Sequence, residues 1–104
     1  MSDRRKHPRK QVDLFFNKFL DGHPYLCRAI DLSEKGLLAV TYSEPEVAAG
    51  SFPLELRLPG QKRSLWVWAR TVRRTAKQHA IEFLRLDPRD RRDLDYHLSA
   101  QPTW

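Results

Sequence analysis

The chain has 104 residues, of which 19 are Lys or Arg and 13 are Asp or Glu, giving a formal net charge of +6. This length allows one domain with a modest hydrophobic core and excludes two such domains. The single cysteine excludes an intrachain disulfide, the dispersed histidines offer no zinc-binding spacing, and no apolar run approaches the about 20 residues of a membrane-spanning helix.

The first part of the chain predicts an arm and a pair of strands. Residues 1–11 are basic and polar and lack the periodicity of a packed element, so we predict a flexible arm. Residues 12–19 and 25–30 are rich in apolar and aromatic side chains, which predicts two strands. The Asp-Gly-His-Pro of residues 21–24 is a turn signal between them.

Four more strands are predicted further along the chain. Residues 52–58 alternate between apolar and polar side chains, as expected for a strand with one buried face. Residues 37–41, 64–73 and 79–86 also predict strands, whereas the proline and polar side chains of residues 43–50 predict a loop. Six strands at short spacing, joined by tight turns, predict a mainly all-β antiparallel barrel or a strongly bent sheet.

The last segment predicts a short α-helix followed by a tail. The Asp-Pro-Arg-Asp of residues 87–90 offers an N-cap, a proline for the first helical position and an acid in the first turn. Leu94 and Leu98 form a narrow apolar stripe that would cover the end of a barrel. The predicted organisation is therefore an arm (1–11), a barrel (12–86) and a C-terminal helix with a tail (87–104).

Two short motifs carry the chemistry of the chain. The arm contains an Arg-x-x-x-Arg pair, Arg5 and Arg9, whose guanidinium groups can bind phosphates or the O6 and N7 edge of guanine. The second turn contains Asp-x-Ser-x-x-Gly, formed by Asp31, Ser33 and Gly36. Its carboxylate can accept from guanine N1–H and N2–H₂, its hydroxyl can supplement that contact, and its glycine is free to adopt a positive φ. Each motif alone is weak, but the two in this order suit a ligand that carries both phosphates and guanines.

This arrangement resembles the PilZ domain family, the bacterial receptors for cyclic di-GMP. The resemblance extends beyond the motifs to residues 54–59, 69–73 and 81–84, with one departure at Ala80, where the family usually has glycine. It implies a six-stranded antiparallel Greek-key β-barrel with a flexible N-terminal arm and a short C-terminal α-helix. It also implies a stand-alone, non-enzymatic receptor that binds cyclic di-GMP through both motifs and signals through a partner protein.

The resemblance implies further ligand contacts. Arg4 matches a position where an arginine accompanies binding of a stacked cyclic di-GMP dimer, so we expect two ligand molecules per chain; the alternative is a solvated charge. A third contact is expected from the fifth strand, with Arg73 as the first candidate and Arg74 as the second, although either could equally be a solvated charge. Trp66 and Trp68 share one face of that strand and could stack on a guanine, pack in the core or face a partner.

Other interpretations stay open at this point. A small basic barrel with two neighbouring tryptophans could bind single-stranded nucleic acid, although the Asp-x-Ser-x-x-Gly turn would then have no function. A PilZ-like adaptor that binds no ligand is a second alternative, but such members lack the arginines that this chain has. Apolar surface at Tyr25, at Phe15 and Phe16, and at the tryptophan pair would allow a homodimer or a partner interface.

The sequence contains no recognisable catalytic arrangement. No Ser-His-Asp or Cys-His set can be argued, and Cys27 lies within a predicted strand. His7 is expected to be a solvated residue of the arm, and His97 a surface residue of the helix. We therefore expect a cytoplasmic, non-enzymatic protein with no cofactor, no metal site and no membrane insertion.

Overall fold

The computed structural model describes residues 9–42 and 50–99 and arranges them as six β-strands and one α-helix. The rest of the chain lies outside the described residues, and with it the predicted arm residues Arg4, Arg5 and His7. The elements are β1 (Lys10–Leu20), β2 (His23–Leu32), β3 (Gly36–Thr41), β4 (Ser51–Leu56), β5 (Leu65–Arg74), β6 (Gln78–Leu86) and α1 (Pro88–Ser99).

The six strands close into an antiparallel barrel in the order β1-β2-β3-β6-β5-β4. Strands β1, β2 and β3 are successive antiparallel neighbours, and β4 returns to pair with β1. This is the spatial order 4-1-2-3 of a Greek key. The predicted six-stranded antiparallel Greek-key barrel with a C-terminal helix is confirmed.

Alternation along the strands separates the core from the surface. Alternate residues from Phe52 to Leu58 are buried, which confirms the alternation predicted for this strand. In β5 the intervening side chains of Trp66 and Trp68 point outward and are 48% and 45% exposed. The alternative in which the two tryptophans pack in the core is therefore excluded.

Two side chains of β1, Phe16 and Lys18, are buried. Phe16 is buried in the core, so only its neighbour Phe15 adds apolar surface. Lys18 is 1% exposed, and its Nζ lies 5.0 Å from the centroid of the Phe52 ring and 3.5 Å from His79 Nδ1. A cation over an aromatic face is favourable in a desolvated site. The barrel interior at this position is therefore polar in part.

The turn between β1 and β2 is shorter than the predicted residues 21–24. Only Asp21 and Gly22 form it, with φ of 53° and 80°, and β2 begins directly at His23. Positive φ at both central residues is typical of a two-residue type I′ hairpin, whose backbone twist matches that of the two strands. Pro24 lies within β2, where it pairs with Phe19. The other strand ends differ from the prediction by one or two residues, so β1 begins within the predicted arm.

Helix α1 begins where the sequence predicted. The Oδ1 atom of Asp87 accepts a hydrogen bond from the backbone N of Arg89 at 2.8 Å, which makes Asp87 the N-cap. Asp90 is buried and accepts from Arg63 Nη1 at 2.8 Å and from the backbone N of Trp66 at 3.4 Å. This acid of the first turn therefore ties the helix to the start of β5.

The apolar stripe of α1 packs against the barrel, as predicted. Leu94 is fully buried, and Leu98 is partly buried against the core. His97 is partly buried on the helix surface, and its Nε2 is buried with no hydrogen-bond partner among the described residues. The Nζ atom of Lys10 donates to the carbonyl oxygen of His97 at 3.2 Å. The start of β1 is thereby held to the last turn of α1.

The stability of the fold should fall as the pH drops below 6.5 because of His97. Burial of the ring, together with the charge of Lys10, lowers the pKa of His97 from its ordinary value of 6.5. Between the lowered pKa and 6.5 the unfolded chain binds more protons at this site than the folded protein. The free energy of unfolding therefore decreases as the pH falls through that window, and the full contribution is present above it.

Urea unfolding followed between about pH 5 and about pH 7.5 measures this slope. His97→Gln should flatten the slope, whereas His23→Gln, at an exposed histidine, should leave it unchanged. A His97→Gln protein with the same slope as the wild type would contradict the assignment.

Candidate ligand-binding site

Ser33 holds the turn between β2 and β3 together. Its Oγ accepts from the backbone N of Lys35 at 3.2 Å and of Gly36 at 3.3 Å, and donates to the Gly36 carbonyl oxygen at 3.3 Å. The backbone N of Ser33 donates to the same carbonyl at 2.9 Å. Because the side chain is buried and bonded within the turn, the hydroxyl fixes the turn, and its direct contact with a ligand stays a prediction.

Gly36 lies against β6, where it pairs with Glu82. A Cβ at this position would overlap the carbonyl oxygen of Ile81 and would lie 3.1 Å from the Ile81 carbonyl carbon and 3.2 Å from the Glu82 Cα. The described glycines with positive φ are Gly22 and Gly60, so Gly36 does not use the positive φ that a glycine is free to adopt. Glycine is required because the backbone of β6 approaches too closely for a side chain.

Strand β6 and helix α1 brace the same turn from outside. The backbone N of Phe83 in β6 donates to the Lys35 carbonyl oxygen at 2.7 Å. From α1, Arg91 Nη1 donates to the carbonyl oxygen of Glu34 at 2.8 Å. Sequence reasoning missed Arg91, because it lies 57 residues from Glu34 in the chain and belongs to neither motif. The turn is thus held from outside by two separate elements of the fold, in addition to its own Ser33.

Arg91→Ala should loosen the turn without unfolding the protein. A net hydrogen bond from a charged group is worth about 1.5–3 kcal/mol. Its loss should speed hydrogen exchange of the Lys35 and Gly36 amides by about 10- to 150-fold if exchange there proceeds by local opening. Amide exchange measured by NMR checks this, with Arg92→Ala, at the exposed neighbouring position, as the matched control. Equal exchange rates in the Arg91→Ala and wild-type proteins would show that the helix does not hold the turn.

The structure brings Asp31 and Arg9 together, although they lie 22 residues apart in the sequence. Arg9 Nε donates to Asp31 Oδ2 at 2.9 Å, and the two side chains are 37% and 25% exposed, respectively. The other carboxylate oxygen, Oδ1, is buried and has no hydrogen-bond partner within the described part of the chain. A buried acceptor left unsatisfied is unfavourable by about 1–3 kcal/mol, so Oδ1 is suited to accept from a ligand N–H.

A row of paired residues leads from Asp31 across the outer face of the barrel. Asp31 pairs with Leu38, Leu38 with Ala80, and Ala80 with Arg73. Asp31 and Arg73 each follow an irregularity in strand register, a feature that can redirect a side chain. At about 4.8 Å per strand spacing, the two residues are separated by about 14 Å along the sheet. A carboxylate and an arginine therefore flank a small apolar platform.

The tryptophan pair lies on the same strand as Arg73 but toward its other end. Trp68 precedes Arg73 by five residues on β5, which corresponds to about 16 Å along the strand.

Within residues 9–42 and 50–99, no group of three or more His, Cys, Asp or Glu is placed to hold a metal ion. No helix in the same part of the chain is long and apolar enough to cross a membrane.

Comparison with known families identifies this barrel. The family model of the PilZ domain matches residues 3–100 of the chain. The chain belongs to the PilZ domain family. The match extends from the segment before β1 to the end of α1, so it includes both sequence motifs. By sequence, no curated protein matches this PilZ chain.

Several solved structures share the fold. MotI/DgrA, the inhibitor of motility of Bacillus subtilis, has a TM-score of 0.75 at 18% identity, covering 93% of this chain and 50% of that chain. The PilZ domain of YcgR from Escherichia coli, solved with c-di-GMP, has a TM-score of 0.70 at 21% identity, covering 89% of this chain and 87% of that chain. The PilZ domain of CeSA from a cellulose-synthesizing bacterium has a TM-score of 0.64 at 20% identity, covering 85% of this chain and 91% of that chain. This PilZ chain thus spans about half the length of MotI/DgrA.

The PilZ departure at Ala80 leaves the strand intact. Ala80 pairs with Leu38 on one side and with Arg73 on the other, so β6 accepts a methyl group where the family usually has glycine. The described site residues of this PilZ domain fall into two groups. Arg9 contacts Asp31 directly beside the turn, and Arg73 lies at the far end of the row.

Proposed function

We propose that this PilZ protein is a cyclic di-GMP receptor that binds its ligand on the outer face of the barrel, between Arg9 and Asp31. The observation that carries the proposal is the meeting of the two motifs. Arg9 lies 2.9 Å from Asp31 Oδ2, while the buried Oδ1 has no partner among the described residues. The similarly folded PilZ domain of YcgR is known with c-di-GMP.

The chemistry of guanine suits the carboxylate of Asp31. Guanine presents two neighbouring donors, N1–H and N2–H₂, and a carboxylate can accept from both. The Arg9–Asp31 ion pair is partly exposed, and such pairs contribute only about 0–1 kcal/mol to stability. A ligand can therefore replace this ion pair with little loss of free energy. Arg9 is then available to donate to a phosphate or to the O6 and N7 edge of guanine.

The remaining described residues have supporting roles in this proposal. Ser33 and Gly36 hold the turn so that Asp31 keeps its position on the barrel face. Arg73 contributes the third contact from β5, at a distance of about 14 Å along the sheet that a dinucleotide can span. Arginine is suited to this place because its planar group can bind a phosphate or a guanine edge with two hydrogen bonds.

The arm supplies the other cations. Arg5 completes the Arg-x-x-x-Arg pair with Arg9, and Arg4 contacts a second, stacked ligand molecule, so two molecules of cyclic di-GMP bind per chain. Both residues precede the described part of the chain. The family resemblance and the basic charge of the segment support these roles.

The output of binding passes through a partner protein in the cytoplasm, without a chemical reaction on this chain. Two anionic phosphates per ligand neutralise the basic arm and alter the surface beside the β2–β3 turn. A partner that binds this surface distinguishes the ligand-bound protein from the free protein by its charge and shape.

Calorimetric titration with cyclic di-GMP tests the proposal, with GMP as the control ligand. We expect micromolar or tighter binding of two ligand molecules per chain, and one in Arg4→Ala. Arg9→Ala should lose most of the affinity. Arg28→Ala is the matched control, since Arg28 also forms an exposed ion pair, with Asp13 Oδ1 at 2.6 Å, outside the two motifs.

Two results would contradict the proposal. The first is no heat of binding at high micromolar ligand. The second is equal loss of affinity in Arg9→Ala and Arg28→Ala. That result would show that Arg9 contributes only to the net positive charge of the protein and makes no specific contact with the ligand. Strongly salt-dependent binding of any oligonucleotide, without preference for cyclic di-GMP, would favour the nucleic-acid alternative.

A further inference from the structure

A groove of about 670 Å³ lies on the barrel apart from the Asp31 turn. We call it the aromatic groove and define it by Phe19, Pro53, Trp66, Trp68, Arg73 and Arg74, which are among its lining residues. It follows β1, β4 and β5, whereas the turn that carries Asp31 connects β2 and β3.

One part of the aromatic groove is a preformed apolar platform. The rings of Phe19 and Trp66 lie 5.4 Å apart between centroids and are tilted by 39°. Trp68 lies opposite Pro53 in the strand register, and both tryptophans remain about half exposed. Clustered exposed aromatic side chains on a rigid sheet are typical of binding surfaces, because burying them is favourable and orders few side-chain torsions.

The other part is cationic. Arg73 and Arg74 are exposed at the end of β5, and Lys18 also lines the groove. Asp21 is the acidic residue among the described lining residues. Lys18 is buried, so the exposed positive charge is that of the two arginines, gathered at one end of the groove, about 16 Å along β5 from Trp68.

We propose that the aromatic groove docks a segment of a partner protein in which an aromatic, leucine or proline anchor stands near Asp or Glu. The anchor packs on the tryptophan platform, and the acid pairs with the arginines at the end of β5. A single strand of nucleic acid fits less well, because it needs cations repeated along its backbone and aromatic groups between them. Docking at this groove is independent of the proposed ligand site except for Arg73, which lies in both.

Selection of phage-displayed random dodecapeptides on the immobilised full chain tests the proposal. Enriched peptides should combine acids with an apolar anchor. Their fluorescein-labelled synthetic forms should bind the wild type and lose affinity about tenfold or more in both Trp68→Ala and Arg74→Glu. Phe15→Ala and Arg57→Glu are matched controls at an exposed aromatic and an exposed arginine outside the groove, and both should bind as the wild type does.

Several outcomes would overturn the proposal. These are no enrichment over bare support, enrichment of basic peptides, or equal loss of binding in the control variants. Binding of labelled dodecathymidylate that is lost in Trp68→Ala would assign the groove to nucleic acid instead. The Trp68→Ala protein should bind cyclic di-GMP as tightly as the wild type. Unchanged binding would show that the variant is folded and that peptide docking and cyclic di-GMP binding are separate properties.

Discussion

Asp31→Ala should weaken the binding of cyclic di-GMP by about 5- to 150-fold, which corresponds to the about 1–3 kcal/mol of one good bidentate contact to a base. The substitution removes both carboxylate oxygens, including the buried Oδ1 that has no partner in the described chain. The free protein loses only a partly exposed ion pair with Arg9, so its fold should be retained. Calorimetric titration measures the affinity, and thermal unfolding confirms the fold.

Asp13→Ala is the matched control for this variant. Asp13 also pairs with an arginine, Arg28, but it is far more exposed than Asp31 and lies outside the turn. The Asp13→Ala protein should bind cyclic di-GMP as tightly as the wild type. If Asp31→Ala keeps wild-type affinity, or if both variants lose it equally, Asp31 is not the residue that recognises guanine.

Gly36→Ala should destabilise the whole barrel. The added methyl group would collide with the carbonyl oxygen of Ile81, and its other near neighbours are also backbone atoms of β6. Overpacking of this kind costs about 1–3 kcal/mol. For a domain of this size each kcal/mol lowers Tm by about 4–8 °C, which a thermal unfolding curve measures directly. Ligand affinity should fall as well, because the turn that positions Asp31 must shift.

Gly50→Ala provides the matched comparison. A Cβ at Gly50 meets no atom within 4 Å, and Gly50 is not among the glycines with positive φ. Its replacement should leave Tm unchanged or raise it slightly, because alanine reduces the conformational entropy of the unfolded chain. An unchanged Tm in Gly36→Ala would show that β6 can move away without loss of stability.

Local patterns were sufficient to predict the strands and the helix of this protein. The alternation from Phe52 to Leu58 and the N-cap at Asp87 depend on neighbours in the sequence, and both are confirmed by burial and hydrogen bonding. The hairpin turn at Asp21 and Gly22 was misjudged by two residues, because turn-forming residues extended into the next strand. Strand ends depend on register with a neighbour, which a single sequence does not display.

Several contacts that hold the site together could not be predicted from the sequence, because they join residues that are distant in the chain. Gly36 is required by the approach of β6, a strand more than 40 residues later in the chain. Ser33 is bonded within its own turn, and Arg91 reaches that turn from α1. Motif reasoning could place Asp31 and Arg9 in one site, but only the folded chain shows which carboxylate oxygen has no partner among residues 9–42 and 50–99.

The outward position of the tryptophans was also beyond sequence reasoning. Period-two alternation placed Trp66 and Trp68 on one face but did not say which face was buried. The barrel interior is instead filled by the smaller residues between and beside them, such as Val67 and Ala69. A small barrel has little room for two indole rings on one strand.

The affinity ratio between cyclic di-GMP and cyclic di-AMP, measured by calorimetry on the wild-type protein, tests the central claim most directly. Guanine offers N1–H and N2–H₂ to Asp31, whose Oδ1 has no partner in the described part of the chain, whereas the corresponding edge of adenine has an acceptor at N1 and no 2-amino group. A site built to bind a donor rejects an analogue that lacks it, because the buried polar group is left unpaired. We predict that cyclic di-GMP binds about 5- to 150-fold more tightly. Equal affinity for the two ligands would contradict the role of Asp31 and the account built on it.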